Sequence, residues 1–303
     1  MTAPRHVIPG ETCSVFRRVS ERRFLLRPDK AVNNIVEFCI GLAAQKYGIL
    51  LHVLNVMTNH YHLQCTDPEG RRSDFMRDAN RMIAQCLNKY WNREEALWSS
   101  DKPSVVTLLD PGAQLQNIIY ITLNPVKAGL VSDYRQWPGV LFTARDWLRT
   151  AKKVKRPEYF FDPDTSVPEQ VALSFVPPPA FADRDLEEVC AQLEETIETK
   201  QLSIQAEHAA AGRQYLGVKR ILKVEPFRRP ISQEPKTQLN PRLSASDPEV
   251  MDKGKKRLRY FRQAYREALS KLRQGVEAIF PYGTFWYRRF LNVPCEPAYT
   301  MQL

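Results

Sequence analysis

The tightest constraint on the fold lies in residues 49–66, where two extended apolar runs, Ile49 to Val56 and His60 to Thr66, are separated only by Met57-Thr58-Asn59. A connection this short suits a hairpin and cannot hold the crossover that joins parallel strands, so the runs are predicted to pair antiparallel. Helical patterns bracket them. Ahead of the hairpin, Val32, Ile35, Val36, Cys39, Leu42 and Ala43 recur at helical spacing after Pro28-Asp29, with Gly48 as the stop, which predicts a helix over 28–47. Behind it, Ser73 is the expected cap of a second amphipathic helix, whose stripe is Phe75, Met76, Ala79, Met82, Ile83, Cys86, Leu87 and Tyr90. Arginine-rich extended runs at 12–19 and 23–26 come first, and Val105 to Leu109 reads as a further strand. Asp110-Pro111 places a cap before a proline at the first helical position, so a third helix should carry Leu115, Ile118, Ile119 and Tyr120. Hairpins interleaved with helices predict an α+β domain with an antiparallel sheet over residues 1–150.

Composition changes after that point. Pro157, Pro163, Pro168 and Pro177-Pro178-Pro179 make 151–182 a proline-rich linker or surface strap. A helix is expected over 183–211, with Leu186, Val189, Leu193 and Ile197 on one side, and a flexible stretch over 226–248, which holds five prolines. Beyond it Leu258, Phe261, Tyr265, Ala268, Leu272 and Ile279 mark the stripe of a long helix whose other faces are strongly basic. Residues 183–303 thus read as a mainly helical, basic C-terminal region.

The formal net charge of +10 points to a polyanionic partner, nucleic acid first, although basic residues also serve plain solubility. Six cysteines without a CxxC pair or dense framework read as reduced thiols of a cytoplasmic protein. Neither a signal peptide nor an apolar run long enough to span a bilayer is evident, so no membrane partner is expected.

Two pieces of the chain could carry chemistry. On a strand, residues two apart share a face, so His60 and His62 would emerge side by side, a half-site for a divalent cation, while Tyr61 points away. A lone HxH pair also arises by chance; His6, His52 and His208 have no such neighbour and read as structural or surface residues. Tyr120 and Asn124, four apart, share a helical face. There Asn124 could offer an oxygen to a metal while the Tyr120 phenol approaches a phosphate; the alternative is a buried aromatic beside a helix-ending Asn-Pro. Pro125, without an N–H, should end or kink the helix.

Taken together, Met57-Thr58-Asn59-His60-Tyr61-His62-Leu63 and Tyr120-Ile121-Thr122-Leu123-Asn124-Pro125-Val126-Lys127-Ala128-Gly129-Leu130-Val131, followed by Trp137-Pro138, make a much more specific pattern. Over roughly residues 5–150 the chain resembles the HUH-superfamily single-tyrosine transposases of the insertion-sequence type, and among them those associated with repetitive extragenic palindromes. The resemblance implies a ferredoxin-like, RRM-like antiparallel sheet with helices packed on one face, followed here by the helical C-terminal extension. It implies that His60 and His62 are the paired ligands of Mg²⁺ or Mn²⁺ and that Tyr120 is the nucleophile. Asn124 falls where the family places a third polar ligand, often glutamine, a longer side chain.

The activity implied is transposition by metal-assisted cleavage and rejoining of single-stranded DNA through a 5′-phosphotyrosine, which conserves the ester energy for strand transfer. Free tyrosine titrates near pH ~10, so the phenol needs help to attack at neutral pH. Single-stranded or hairpin DNA is the expected partner, with monomer and homodimer both left open. Arg17, Arg18, Arg22, Arg23 and Lys127, and on the long helix Lys255, Lys256, Arg259 and Arg262, are the candidate backbone contacts, with an ordinary basic surface as the alternative. Trp91, Trp98, Tyr134 and Trp137 are candidate stacking platforms, at least one of them a core residue. Two competing readings are a domesticated DNA-binding protein that no longer cuts, and an RNA-binding module, for which no RNP-type aromatic motif is evident.

Overall fold

The computed structural model describes residues 4–101, 103–158, 160–162, 165–231 and 241–298. Its elements are β1 (Glu11–Arg18), α1 (Lys30–Tyr47), β2 (Leu50–Val56), β3 (His60–Asp67), α2 (Arg72–Tyr90), β4 (Ser104–Leu108), α3 (Pro111–Lys127), β5 (Leu141–Phe142), β6 (Lys152–Lys155), β7 (Gln170–Leu173), α4 (Leu186–Ala210), α5 (Val218–Leu222), β8 (Leu243–Ser244), α6 (Pro248–Arg273) and α7 (Trp286–Leu291). The main sheet has the order β5-β2-β3-β1-β4-β8, and β8 alone in it pairs in parallel, with β4. The first four strands and two helices run β-α-β-β-α-β with β1 and β3 central, the ferredoxin-like arrangement expected.

Local chemistry accounts for the element ends. Asp29 accepts from the N–H of Val32 at 2.8 Å to start α1, and Gly48, at φ 63°, closes it in the left-handed conformation. The start of α2 departs from expectation. Ser73 lies inside the helix, and Asp67 caps it from the end of β3, accepting from the N–H groups of Arg71 and Arg72 at 2.7 and 2.8 Å. Asp110 starts α3 as expected, accepting from the N–H of Ala113 at 2.6 Å. Residues 23–26 form no strand; Leu25 and Leu26 turn into the core instead.

Alternation along β3 sorts the two faces of the sheet. Tyr61 faces α1 and α2, donating to Asn80 Oδ1 at 3.0 Å and meeting the Trp98 ring. The two helices are joined through Asp78, which accepts from Lys46 at 2.8 Å and from the Tyr47 hydroxyl at 2.5 Å. On the opposite face α3 crosses the strands, with Asn117 donating to Ser14 Oγ at 3.1 Å. A register shift between Leu51 and Val53 makes His52 an extra residue of β2. The His52 ring is fully buried, with Nδ1 2.8 Å from the Val176 carbonyl and Nε2 2.8 Å from Thr66 Oγ1, which in turn meets Thr12 Oγ1 at 2.7 Å.

Residues 151–182 are more than the expected linker. β6 and β7 form a ribbon packed on α1, and Val154, Val171, Leu173, Phe175 and Phe181 are buried. The reason is alternation that prolines obscure: Val171 and Leu173 point the same way, so a four-residue strand suffices to seat them. The core also continues past residue 150, since Val189, Cys190, Leu193 and Ile197 of α4 belong to the same apolar cluster as α1 and the sheet. Of the expected flexible stretch at 226–248, residues 232–240 lie outside the described residues, and β8 falls within the remainder. α6 is held close by Gly254, where a Cβ would stand 2.4 Å from Leu109 Cδ1. Its stripe ends earlier than expected: Phe261 and Ala268 are buried, whereas Ile279 lies beyond the helix and is exposed. All six cysteines are unpaired, and among the described residues no helix is long and apolar enough to cross a membrane.

Burial lowers the pKa of His52 to about 4; His6, stacked on Phe261 and facing Arg257 and Arg72, is also lowered to about 4, first by burial. Both are neutral in the native state, so the unfolded chain takes up protons first as pH falls below the ordinary histidine value of 6.5. Stability from these groups is therefore complete above pH 6.5, declines from there to about pH 4, and levels off below. Urea midpoints measured across that range should fall with pH, and more gently in His52→Gln; a flat wild-type profile would contradict the assignment.

Candidate active site

The site forms where β3, β1 and the last turns of α3 meet. Cross-strand register sets Phe16 opposite His62 and Arg18 opposite His60, and on the other side Asn55 opposite His62. The two imidazoles stand with ring centres 5.0 Å apart and planes perpendicular, while the Phe16 ring backs both, at 5.2 Å from His60 and 5.0 Å from His62. Tyr120 projects from α3 with its ring 5.4 Å from His62, and it is 43% exposed although both histidines lie largely beneath the surface. Asn124, one turn on, brings its Nδ2 to 3.3 Å from His62 Nε2. The four residues singled out in the sequence for chemistry thus share one corner.

The tautomer of His60 follows from its neighbour. Asn59 donates Nδ2 to the Arg22 carbonyl at 3.1 Å, which turns its Oδ1 toward His60 Nδ1 at 2.7 Å. An amide oxygen can only accept, so His60 carries its proton on Nδ1 and keeps a lone pair on Nε2. Burial, with Arg18 and Arg22 nearby, lowers the His60 pKa to about 4, and burial followed by His60 itself lowers that of His62 well below the usual range. At neutral pH both are uncharged, the state in which imidazole binds a metal.

The chemistry of the donor set suits a divalent cation. Two neutral imidazoles and the Asn124 amide, whose half-turn exchanges NH₂ for a carbonyl oxygen, offer three donors on one spot. They fit a cation that also takes oxygen ligands from a substrate. Among the described residues no cluster of three or more histidine, cysteine or acidic side chains could hold a metal, so this set brings no negative charge.

Pro125 lies inside α3 and does not end it; the helix runs to Lys127. Proline removes the N–H that would bond the Ile121 carbonyl, and Asn55 Nδ2 supplies a replacement at 2.8 Å. A buried carbonyl left without a donor costs on the order of 1–3 kcal/mol, enough to disfavour an unbroken helix here without Asn55. The chain leaves the helix at Gly129 (φ 70°), four residues after Pro125, where the N–H of Leu130 reaches the Pro125 carbonyl at 3.0 Å and that of Gly129 reaches the Val126 carbonyl at 2.9 Å.

The basic candidates divide into two groups. Arg18 and Arg22 lie at the His60 end, and Lys127 places its Nζ 5.6 Å from the centre of the Tyr120 ring. Arg17 points to the other face, over Trp98 and bonded to the Asp101 carbonyl at 2.5 Å, and Arg23 pairs with Glu21 at 2.7 Å. Lys255, Lys256, Arg259 and Arg262 are exposed on α6, whose Arg257 bonds Glu11 at 2.5 Å. Glu11 starts β1 and Arg18 ends it, so this contact lies about 23 Å along the strand from the histidine end. Three of the four expected stacking platforms are structural: Trp98 and Trp137 are buried and donate to the Asn80 and Val56 carbonyls at 2.8 and 3.1 Å, and buried Tyr134 donates to Glu194 at 2.5 Å. Trp91 is half-buried beneath the Arg27 guanidinium.

No protein-family model matches the chain, and no curated protein matches it in sequence. Among solved structures it is similar to a REP-associated tyrosine transposase bound to a REP hairpin, at 19% identity and a TM-score of 0.41, over 56% of this chain and 98% of that one. It is also similar to a candidate transposase from Deinococcus radiodurans R1, at 19% identity and a TM-score of 0.29, over 40% of this chain and 95% of that one.

Sequence reading overlooked Asn59, Phe16 and Asn55. Asn59 had a detectable signal, as the residue just before the histidine pair in a turn; the other two are visible only once strand register is known. Asn59→Ala should free the His60 ring to rotate and change tautomer. Nitrogen-15 NMR of the imidazoles would check this, with an unchanged Nδ1–H tautomer of His60 as the opposing result.

Proposed function

We propose that this protein is a DNA transposase that cuts and rejoins single-stranded DNA through a tyrosine–phosphate ester. The observation that carries the reading is the convergence of an exposed tyrosine with two neutral imidazoles, one buried and one half-buried, with 5.4 Å between the Tyr120 and His62 rings. A DNA-binding protein that does not cut needs no such trio.

In this reading the Tyr120 oxygen attacks a backbone phosphorus and the bond to the 3′ oxygen breaks. The phenol proton is lost, the leaving oxygen gains one, and a 5′-phosphotyrosine and a 3′-hydroxyl result. A 3′-hydroxyl of another strand reverses the step and restores the phenol, so no external energy source is required. Lys127 beside the Tyr120 ring, with Arg18 and Arg22 at the His60 edge, holds flanking phosphates. His60, His62 and Asn124 hold the divalent cation, Mg²⁺ or Mn²⁺, which when bound supplies polarisation of the phosphate and stabilises its developing charge. Asn59 and Phe16 keep the imidazoles from turning away.

Incubation with Mn²⁺ and hairpin-bearing single-stranded DNA should give a protein–DNA adduct that survives denaturation. Tyr120→Phe should abolish the adduct while DNA affinity changes by less than about threefold, since one hydroxyl is a small part of a phosphate-dominated interface. Binding without any adduct over varied substrates would favour the non-cleaving alternative. A second expectation comes from charge: three neutral donors hold a cation poorly until a phosphate joins them. Mn²⁺ affinity should therefore rise by about tenfold or more when single-stranded DNA is present, and equal affinity with and without DNA would count against the proposed site.

A further inference from the structure

The contact between Asn55 and α3 has no counterpart in an ordinary helix. Residue 125 would normally donate to the carbonyl of residue 121, and as proline it cannot. The orphaned carbonyl belongs to Ile121, which is fully buried and lies between Tyr120 and Asn124 in the chain. Asn55, also fully buried, fills the gap at 2.8 Å from β2, where it stands directly opposite His62. One side chain thus connects the turn bearing the tyrosine and the third donor with the strand position beside the second histidine.

The rest of the amide supports this assignment. Asn55 Oδ1 accepts no hydrogen bond among the described residues, so the side chain buries a polar group and uses only its donor. Leucine or valine would fill the same space without an amide. One turn earlier the Ile118 carbonyl accepts from Thr122 Oγ1 of the same helix at 2.9 Å, so Asn55 is the side chain that ties this turn to another element.

We infer that Asn55 is a positioning residue: its N–H replaces the one that Pro125 lacks and so fixes the Tyr120–Asn124 turn against His62. The inference rests on the proposed transfer reaction for its catalytic consequence, though not for the contact itself. A helix missing an internal bond can bend at that point, and small displacements of a nucleophile are costly in rate. Asn55 therefore acts on the reaction step more than on DNA affinity, and only while residue 125 is proline.

The test is a four-protein cycle in the full chain: wild type, Asn55→Leu, Pro125→Ala and the double variant. Leucine keeps the branching at Cγ, with somewhat more volume, and removes the donor, and alanine at 125 restores the helix's own N–H to Ile121. With Pro125 present, Asn55→Leu should slow adduct formation about tenfold at saturating hairpin DNA and Mn²⁺, with DNA affinity within about twofold. In the Pro125→Ala background the same replacement should slow it by less than about twofold. Without metal or DNA, amide hydrogen exchange over residues 122–127 should speed up in Asn55→Leu and return toward the wild-type rate in the double variant. Equal effects of Asn55→Leu in both backgrounds, in rate and in exchange, would overturn the inference. If Asn55→Leu fails to fold, recovery of folding in the double variant supports it and failure in both overturns it. If the wild type gives no adduct at all, the proposed reaction fails, and the exchange measurements still decide the role of Asn55.

Discussion

Strand register at β3 is the constraint on which everything else depends. Its two-residue period sends Tyr61, Leu63 and Cys65 toward α1 and α2 and sends His60, His62, Gln64 and Thr66 toward α3. A slip of one residue would exchange the sets, burying imidazoles among aliphatic side chains and presenting Leu63 to Asn124. The apolar face makes such a slip prohibitive, so the same hydrophobic pattern that stabilises the sheet also fixes the chemistry on its reverse. Pairing with β1 and β2 then brings Phe16 and Asn55 alongside without further design.

The face under α3 differs in character from the face under α1 and α2. Ser14, Asn55, His62 and Gln64 line it, and α3 answers with Asn117, the Ile121 carbonyl and Asn124. Polar contacts of this kind add little net stability each but are directional, so they locate a helix more sharply than aliphatic packing does. The arrangement suits a helix that must hold Tyr120 at a defined distance from fixed imidazoles.

Much of this was legible in the sequence, for identifiable reasons. The hairpin, α1 and the beginning of α3 announce themselves through spacing and caps, because Asp29, Gly48 and Asp110 act on backbone groups close by in the chain. His60, His62, Tyr120 and Asn124 were visible as pairs with the right periods. Asn55 was invisible, since its partner is a main-chain carbonyl 66 residues away. The cap of α2 was misplaced for a related reason: Asp67, counted within the strand, outcompetes the nearer-looking Ser73. Proline content misled twice, once at 151–182, where short alternation beats composition, and once at Pro125, where a side chain from another element rescues the helix.

The parallel pairing of β8 with β4 bears on how the chain reaches its native state. Thr107 and Leu108 are partnered by Leu243 and Ser244, so one rim of the main sheet is completed by residues made long after the rest of it. Until they arrive, β4 presents unpaired main-chain groups of the kind that recruit other chains. Closing so long a loop raises the contact order and slows the last step of assembly. A ribosome-bound chain would therefore pass through a stage with its histidines and tyrosine already in place and one rim still open, when self-association is its main hazard.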